Sequence, residues 1–336
     1  MESILLLAHT EPDGSLAKPA LEALTAALAL GGDLTIGLAG ASVEPAANQV
    51  AGAGAKRILA VVGGAFGEPR YSTDAASAEA LSRASGAAIV LAPATSRFSR
   101  ALPGVAYRLG GRVDTHATGL GELNGVPAVT RWFYRQRMEA VLTRTLRPWV
   151  VLLDGGCVPA WDGAAGRAVV ESVAIEAPAT RTTVLGTRSP QVGEQTIRPD
   201  AKLLFVAGAG WTKKQADGAV HSAAAEKLIL GFLRATQASL GGSKSLVDLS
   251  GEGEAVLRFM THMNQIGQTG ATPRHPKGLS TCCHGEEPHA VGWRFVGERR
   301  AVNLDPNCGW ARGKADVLYV ADAFEVMAHV NRLLEA

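Results

Sequence analysis

The side chains best suited to chemistry lie late in the chain, in loops rich in glycine, amide and hydroxyl groups. Gly208-Ala209-Gly210 follows an apolar run, and two residues without a Cβ let backbone amides approach phosphate oxygens. An ordinary tight turn accounts for the same three residues. Residues 241–245 (GGSKS) combine turn amides, the hydroxyls of Ser243 and Ser245, and the cation of Lys244. That set reads as an anion cradle or as a solvated loop. Residues 265–270 (QIGQTG) place Gln268 and Thr269 next to Gly267 and Gly270, where amide and hydroxyl can bond the edge of a heteroaromatic ring.

His289 stands between Pro288 and Ala290-Val291-Gly292. It reads as a packed residue or as a donor to a ring carbonyl, where it would favour negative charge on a reduced ring. Asn303, Asp305 and Asp316 are expected at or beyond the C-terminal ends of strands, where amides and carboxylates hold ribose or adenine in doubly wound sheets. Asp305-Pro306-Asn307 is equally a turn by composition. Trp293 and Trp310 suit ring stacking, core packing or a partner surface. Cys282, Cys283, His284 and His289, with Cys308, raise a metal site, but adjacent cysteines point in different directions and known sites space their ligands further apart. Buried or inert thiols are the expectation. No Ser-His-Asp signature, phosphate-binding P-loop or paired-carboxylate site specifies hydrolysis.

Alternating elements must position these loops. Strand-type runs at 4–8, 34–38, 57–62 and 87–92 alternate with helical stretches at 19–30, 46–54 and 77–85, Glu22 falling on a polar helix face. Such alternation implies a parallel sheet covered on both faces. Runs at 129–134, 140–143 and 149–153 lack intervening helices and are expected to form hairpins or an antiparallel extension. Residues 181–200 are polar with Pro190 and Pro199, a linker centred on 191–200 between an N-terminal domain, 1–190, and a C-terminal domain, 201–336. In the second domain, strands are expected at 203–207, 300–303 and 317–320 and helices at 223–236, 252–263 and 323–334. Residues 246–249 read as strand or loop. The fold class is α/β in two domains, the first Rossmann-like with an antiparallel extension, the second doubly wound. There is no internal repeat and no low-complexity tract.

Bulk properties narrow the function. At 336 residues and 47% hydrophobic content the chain can bury two cores. A net charge of +2 without a basic cluster argues against a nucleic-acid partner. Four cysteines without a CxxC pair form no disulfide framework, so a reducing cytoplasm is expected. The opening MESILLLAHT reads as a first strand rather than an export signal, and no apolar run approaches the roughly 20 residues of a membrane span.

The motifs at 265–270, 285–292 (GEEPHAVG), 301–307 (AVNLDPN) and 315–326 (ADVLYVADAFEV), in that order, resemble the alpha subunit of electron transfer flavoproteins. The family's GQTG is intact at 267–270, its AxNxDP at 301–306 and its VAD-x-F ending at 320–324, while its QHxAG stands as Pro288 to Gly292. Residues 89–120 are similar to the family's strand, helix and strand in that place. The resemblance implies noncovalent FAD extended across the second domain. Gln268 and Thr269 would meet the isoalloxazine, with the Thr269 hydroxyl near N5, and His289 would face the C2 carbonyl. Lys244 stands where the family usually has arginine, beside Ser243 at the phosphate-binding serine. Asn303 and Asp316 would hold the adenosine, and Gly208, Gly210, Gly270, Gly285 and Asp305 complete the implied cofactor-binding set.

The resemblance also implies an electron carrier rather than a stand-alone catalyst. It would pair with a beta subunit, take electrons from a partner dehydrogenase and pass them to a quinone-linked or iron–sulfur oxidoreductase. Three positions depart from the pattern. The GGRGL turn is AGAGW, with Ala209 for arginine; the GISGA loop matches 282–286, ending in Glu286; and Pro288 replaces a glutamine and lacks a backbone donor. They motivate an alternative, a non-flavin structural subunit of a larger oxidoreductase complex. A nicotinamide dehydrogenase is disfavoured, because no GxGxxG opens a helix after either domain's first strand.

Overall fold

A computed structural model describes residues 2–134, 138–186, 197–198, 201–248, 256–266, 274–281, 293, 296–308 and 314–335. The chain divides into two compact units, Met1–Thr187 and Arg188–Ala336.

In the first unit β1 (Ser3–His9) is apolar on both faces, as a strand inside a parallel sheet must be. Ile4, Leu6 and Ala8 join one core, against α1 (Lys18–Ala29) and α2 (Glu44–Gln49). Leu5 and Leu7 join the opposite core, against α4 (Tyr71–Ser85) and α5 (Ser96–Arg108). Pro19 occupies the first turn of α1, where no helical amide is lost, and Gly31, at φ +65°, follows its end. The remaining strands are β2 (Asp33–Gly40), β3 (Arg57–Val62), β4 (Ile89–Pro93), β5 (Arg112–Leu123), β6 (Val126–Phe133), β7 (Met138–Leu142), β8 (Trp149–Leu153) and β9 (Glu171–Ser172), with the single turn α3 (Gly64–Gly67) after β3. They form one sheet in the order β7-β6-β5-β8-β4-β1-β2-β3-β9.

The antiparallel extension is β5, β6 and β7. The run at 149–153 is not part of it: β8 lies parallel between β4 and β5. All five residues of WVVLL are buried, which requires cover on both faces, whereas β7 alternates exposed and half-buried positions. Two other expectations change. The helix at 46–54 is α2 followed by a 3₁₀ turn, Ala51–Ala53, closed by Gly54 at φ +72°. Glu22 does not face solvent: it is buried, and its Oε2 accepts the Gly156 amide at 2.7 Å. It thereby anchors the extended segment that leaves β8.

The second unit is a parallel sheet of β10 (Leu203–Ala207), β11 (Ser239–Gly242), β12 (Lys277–Thr281), β13 (Glu298–Asn303) and β14 (Val317–Val320), in the order β11-β10-β12-β13-β14. Alternate residues of β10 face opposite cores. Phe205 and Ala207 pack with α6 (Ser222–Thr236) and α8 (Ala323–Glu335), while Leu204 and Val206 pack with Ile266, Trp293, Val296 and Cys308. Residues 246–249, expected as strand or loop, lie largely in a short helix, α7 (Lys244–Asp248). Ser243 sets its start, the hydroxyl accepting the Leu246 amide at 3.3 Å. The helix expected over 252–263 is not seen at 256–261; among the described residues a 3₁₀ turn, His262–Asn264, stands there. The Asn264 carboxamide competes with helical bonding, its Oδ1 accepting the Thr261 amide and its Nδ2 donating to the Leu240 carbonyl.

Candidate functional site

The chain of the second unit runs from β10 outward to β11, then returns to β12 on the other side of β10. The C-terminal ends of β10 and β12 therefore flank the point where strand order reverses, the usual ligand crevice of such sheets. Gly208 follows β10, and its amide donates to the Thr281 carbonyl at 3.0 Å rather than standing free for a phosphate. Its φ of −93° is one that any residue adopts. Gly210 lies in the buried 3₁₀ turn Ala209–Thr212, which directs Trp211 inward. The Trp211 indole is fully buried, donates from Nε1 to Thr281 Oγ1 at 2.9 Å, and meets the Phe324 ring at 4.6 Å.

Ser243 and Lys244 follow β11 on the same edge. The Ser243 amide donates to the Ala207 carbonyl at 3.0 Å, its side chain is buried, and Lys244 is half-buried. Beside them runs the segment that ends at Ile266, whose amide donates to the Gly242 carbonyl at 3.2 Å. A Cβ on Gly242 would stand 2.3 Å from Met260 Cε, and one on Gly241 2.9 Å from Ile266 Cγ2, so the two glycines allow this segment to lie close. Gln265, bridged to Gly242, is 4% exposed, and its Nε2 has no hydrogen-bond partner among the described residues. Gln268, Thr269 and Gly270, continuing from here, and Gly285 and His289, continuing from Thr281, lie outside the described residues.

Asn303 ends β13 on this edge and is buried. Its Oδ1 accepts the Asp305 amide at 3.0 Å and its carbonyl the Ala321 amide at 3.2 Å. Asp305 is exposed and accepts the Asn307 amide at 2.8 Å, so Asp305-Pro306-Asn307 is the turn its composition suggests. Asp316 is a correction. It precedes β14, which is parallel to β13, and so stands at the N-terminal edge of the sheet. Its carboxylate accepts from the Arg299 amide at 2.7 Å and guanidinium at 2.9 Å, and the Arg299 hydrogen bonds hold its pKa below the usual range. The carboxylate at the C-terminal end of β14 is Asp322, which caps α8 by accepting the Phe324 and Glu325 amides at 2.7 and 3.1 Å. An Asp between a strand and a helical run is a readable N-cap signal.

Trp293 is a core residue, fully buried with Nε1 donating to the Lys314 carbonyl at 2.9 Å; Trp310 lies outside the described residues. Among the described residues no group of three metal-ligating side chains comes together, and Cys308 is buried. In the first unit His9 ends β1 with Nε2 3.2 Å from Thr95 Oγ1. Burial, then the charge of Arg97, pushes its imidazole down to about 4 and keeps it neutral near pH 7.

The donors on the second sheet's edge suit the oxygen-rich surface of FAD. The Ser243 hydroxyl and Lys244 ammonium match phosphate, and the Asn303 carboxamide matches ribose or adenine.

Two α/β units, the first on a mixed sheet and the second on a parallel sheet with polar side chains along its C-terminal edge, define a two-unit protein of the doubly wound class. Residues 4–178, just over half of the chain, match the family model for the electron transfer flavoprotein domain. The chain belongs to the electron transfer flavoprotein family. None of the curated proteins compared with it matches. Among the described residues no helix is long and apolar enough to cross a membrane.

Proposed function

We propose that the chain is an alpha-type subunit that binds FAD with a beta-type subunit. It accepts electrons from a partner dehydrogenase and delivers them to a quinone-linked or iron–sulfur oxidoreductase, in the cytoplasm. The observation that carries this reading is a second parallel sheet, joined to a family-matching first unit, that gathers buried Ser243 and Asn303 on one edge. The motifs at 267–270, 301–306 and 320–324 favour the alpha type over the beta type.

In this reading FAD supplies a ring that takes up and releases electrons singly or in pairs. Ser243 and Lys244 bind its phosphates or ring edge, and Asn303 positions the adenosine. Gln268, Thr269, Gly270, Gly285 and His289 surround the ring and pyrophosphate. Donors and cations fixed beside the ring stabilise charge that develops on reduction, because a preorganised site need not reorient when charge arrives. Residues 1–190 meet the partner chain, 191–200 link, and 201–336 hold the cofactor.

A second reading, a structural subunit without flavin, is favoured by the engaged amide of Gly208 and by Ala209, Glu286 and Pro288, which depart from the family's motifs. One experiment separates them: copurify the chain with its beta-type partner, record the visible spectrum and identify any released cofactor by mass. A blue-absorbing chromophore of FAD mass supports the first reading. A colourless pair that takes up no added FAD supports the second.

A further inference from the structure

The most unusual polar group on the second sheet's edge is the carboxamide of Gln265. The residue is 4% exposed, yet among the described residues its Nε2 finds no acceptor. Buried amide donors are nearly always satisfied, and one left unmet is costly. The backbone on either side is fixed. Gln265 bridges Gly242 in parallel register, the Ile266 amide donates to the Gly242 carbonyl, and Asn264 Nδ2 donates to the Leu240 carbonyl at 3.3 Å. Ile266 is itself buried against Gly241. A methionine would fill the same space at no polar cost, so the sheet holds a donor where packing alone needs none. The position also suits a ligand: the bridge partner of Gln265 immediately precedes Ser243.

We infer that Gln265 is a further ligand-binding residue of this edge, its Nε2 donating to an acceptor oxygen, carbonyl or phosphate, of the flavin nucleotide. This rests on the FAD reading above. Gln265 then acts as a specificity element, since a nucleotide without an acceptor at that point leaves the amide unsatisfied.

The test uses the full chain in complex with its beta-type partner, as wild type, Gln265→Met and Gln265→Glu. FAD affinity is measured by fluorescence titration, and thermal unfolding is followed on cofactor-depleted protein. Both variants should bind FAD more weakly, by roughly tenfold or more, as expected for a lost hydrogen bond of about 1.4 kcal/mol. Gln265→Met should also unfold at the same or a higher temperature than wild type without cofactor, because it removes an unmet donor. Wild type binding FAD while both variants bind it equally well would overturn the inference and leave the FAD reading standing. A lower unfolding temperature for cofactor-free Gln265→Met would also overturn it, by showing that the amide has a structural partner. Wild type refusing FAD would overturn both.

Discussion

Trp211 Nε1 donates to Thr281 Oγ1 across 2.9 Å, and that hydroxyl lies 3.4 Å from the Val206 carbonyl to which it donates. A side-chain bond thus reinforces the ladder between the ends of β10 and β12, at the point where strand order reverses.

Thr281→Val keeps the shape and removes the acceptor, leaving the fully buried Trp211 N–H unmet. The expected loss is about 1–3 kcal/mol of unfolding free energy, and Thr281→Ser should recover most of it. Equilibrium urea unfolding of the two variants checks this; equal stability of Thr281→Val and wild type would remove the bond from the account.

Gly278 lies beneath Trp293. A Cβ there would stand 2.7 Å from Trp293 Cζ3 and 2.7 Å from Val296 Cγ1, both held in the core. Gly278→Ala should cost about 1–3 kcal/mol by overpacking, and adding Val296→Ala should relieve part of it. A double-mutant cycle on unfolding free energies measures the coupling.

Arg97 and Arg100 both reach Asp74, and their burial separates their importance. The Arg97 side chain is 10% exposed, bonds Asp74 Oδ1 at 2.5 Å and donates to the carbonyls of Phe66 and Gly67. Arg100 is 49% exposed and 3.5 Å from Asp74 Oδ2. Arg97→Met should destabilise by about 3–5 kcal/mol, since it strands a buried carboxylate and bare carbonyls. Arg100→Met should cost about 1 kcal/mol or less. Thermal denaturation ranks the two, and similar losses would refute the assignment.

His9 makes the first unit sensitive to mild acid. Its ordinary value of 6.5 falls to about 4 in the folded protein, so the unfolded chain takes up a proton that the native state refuses. Stability from this group is full above about pH 6.5, declines as pH falls, and is lost by about pH 4, with a total of roughly 3 kcal/mol. Carboxylates held low, such as Asp114, act in a more acidic range: burial opposes its ionisation, but hydrogen bonds from Arg144 and Trp149 outweigh that. Unfolding free energies at pH 7, 5.5 and 4.5 for wild type and His9→Gln should show a shallower slope in the variant.

Much of the scaffold was legible because short continuous apolar runs declare strands, whether buried like β8 or largely exposed like β14. The runs at 57–62, 149–153, 203–207 and 317–320 coincide with β3, β8, β10 and β14. Ser239–Gly242 and Lys277–Thr281 gave no such signal: SLGG and KGLST are short, small and polar, and only their neighbours make them strands.

The sequence by itself determined two alternating α/β units and the residue types along the second sheet's edge, because periodicity and turn composition are local properties. Only the tertiary structure decided which of those groups are already engaged. The Gly208 amide is taken by Thr281, Asp316 by Arg299 at the opposite edge, and Trp211 by Thr281 within the core, while Gln265 keeps a donor unmet among the described residues. Hydrogen-bond satisfaction depends on partners brought together from distant strands, and no local pattern names them.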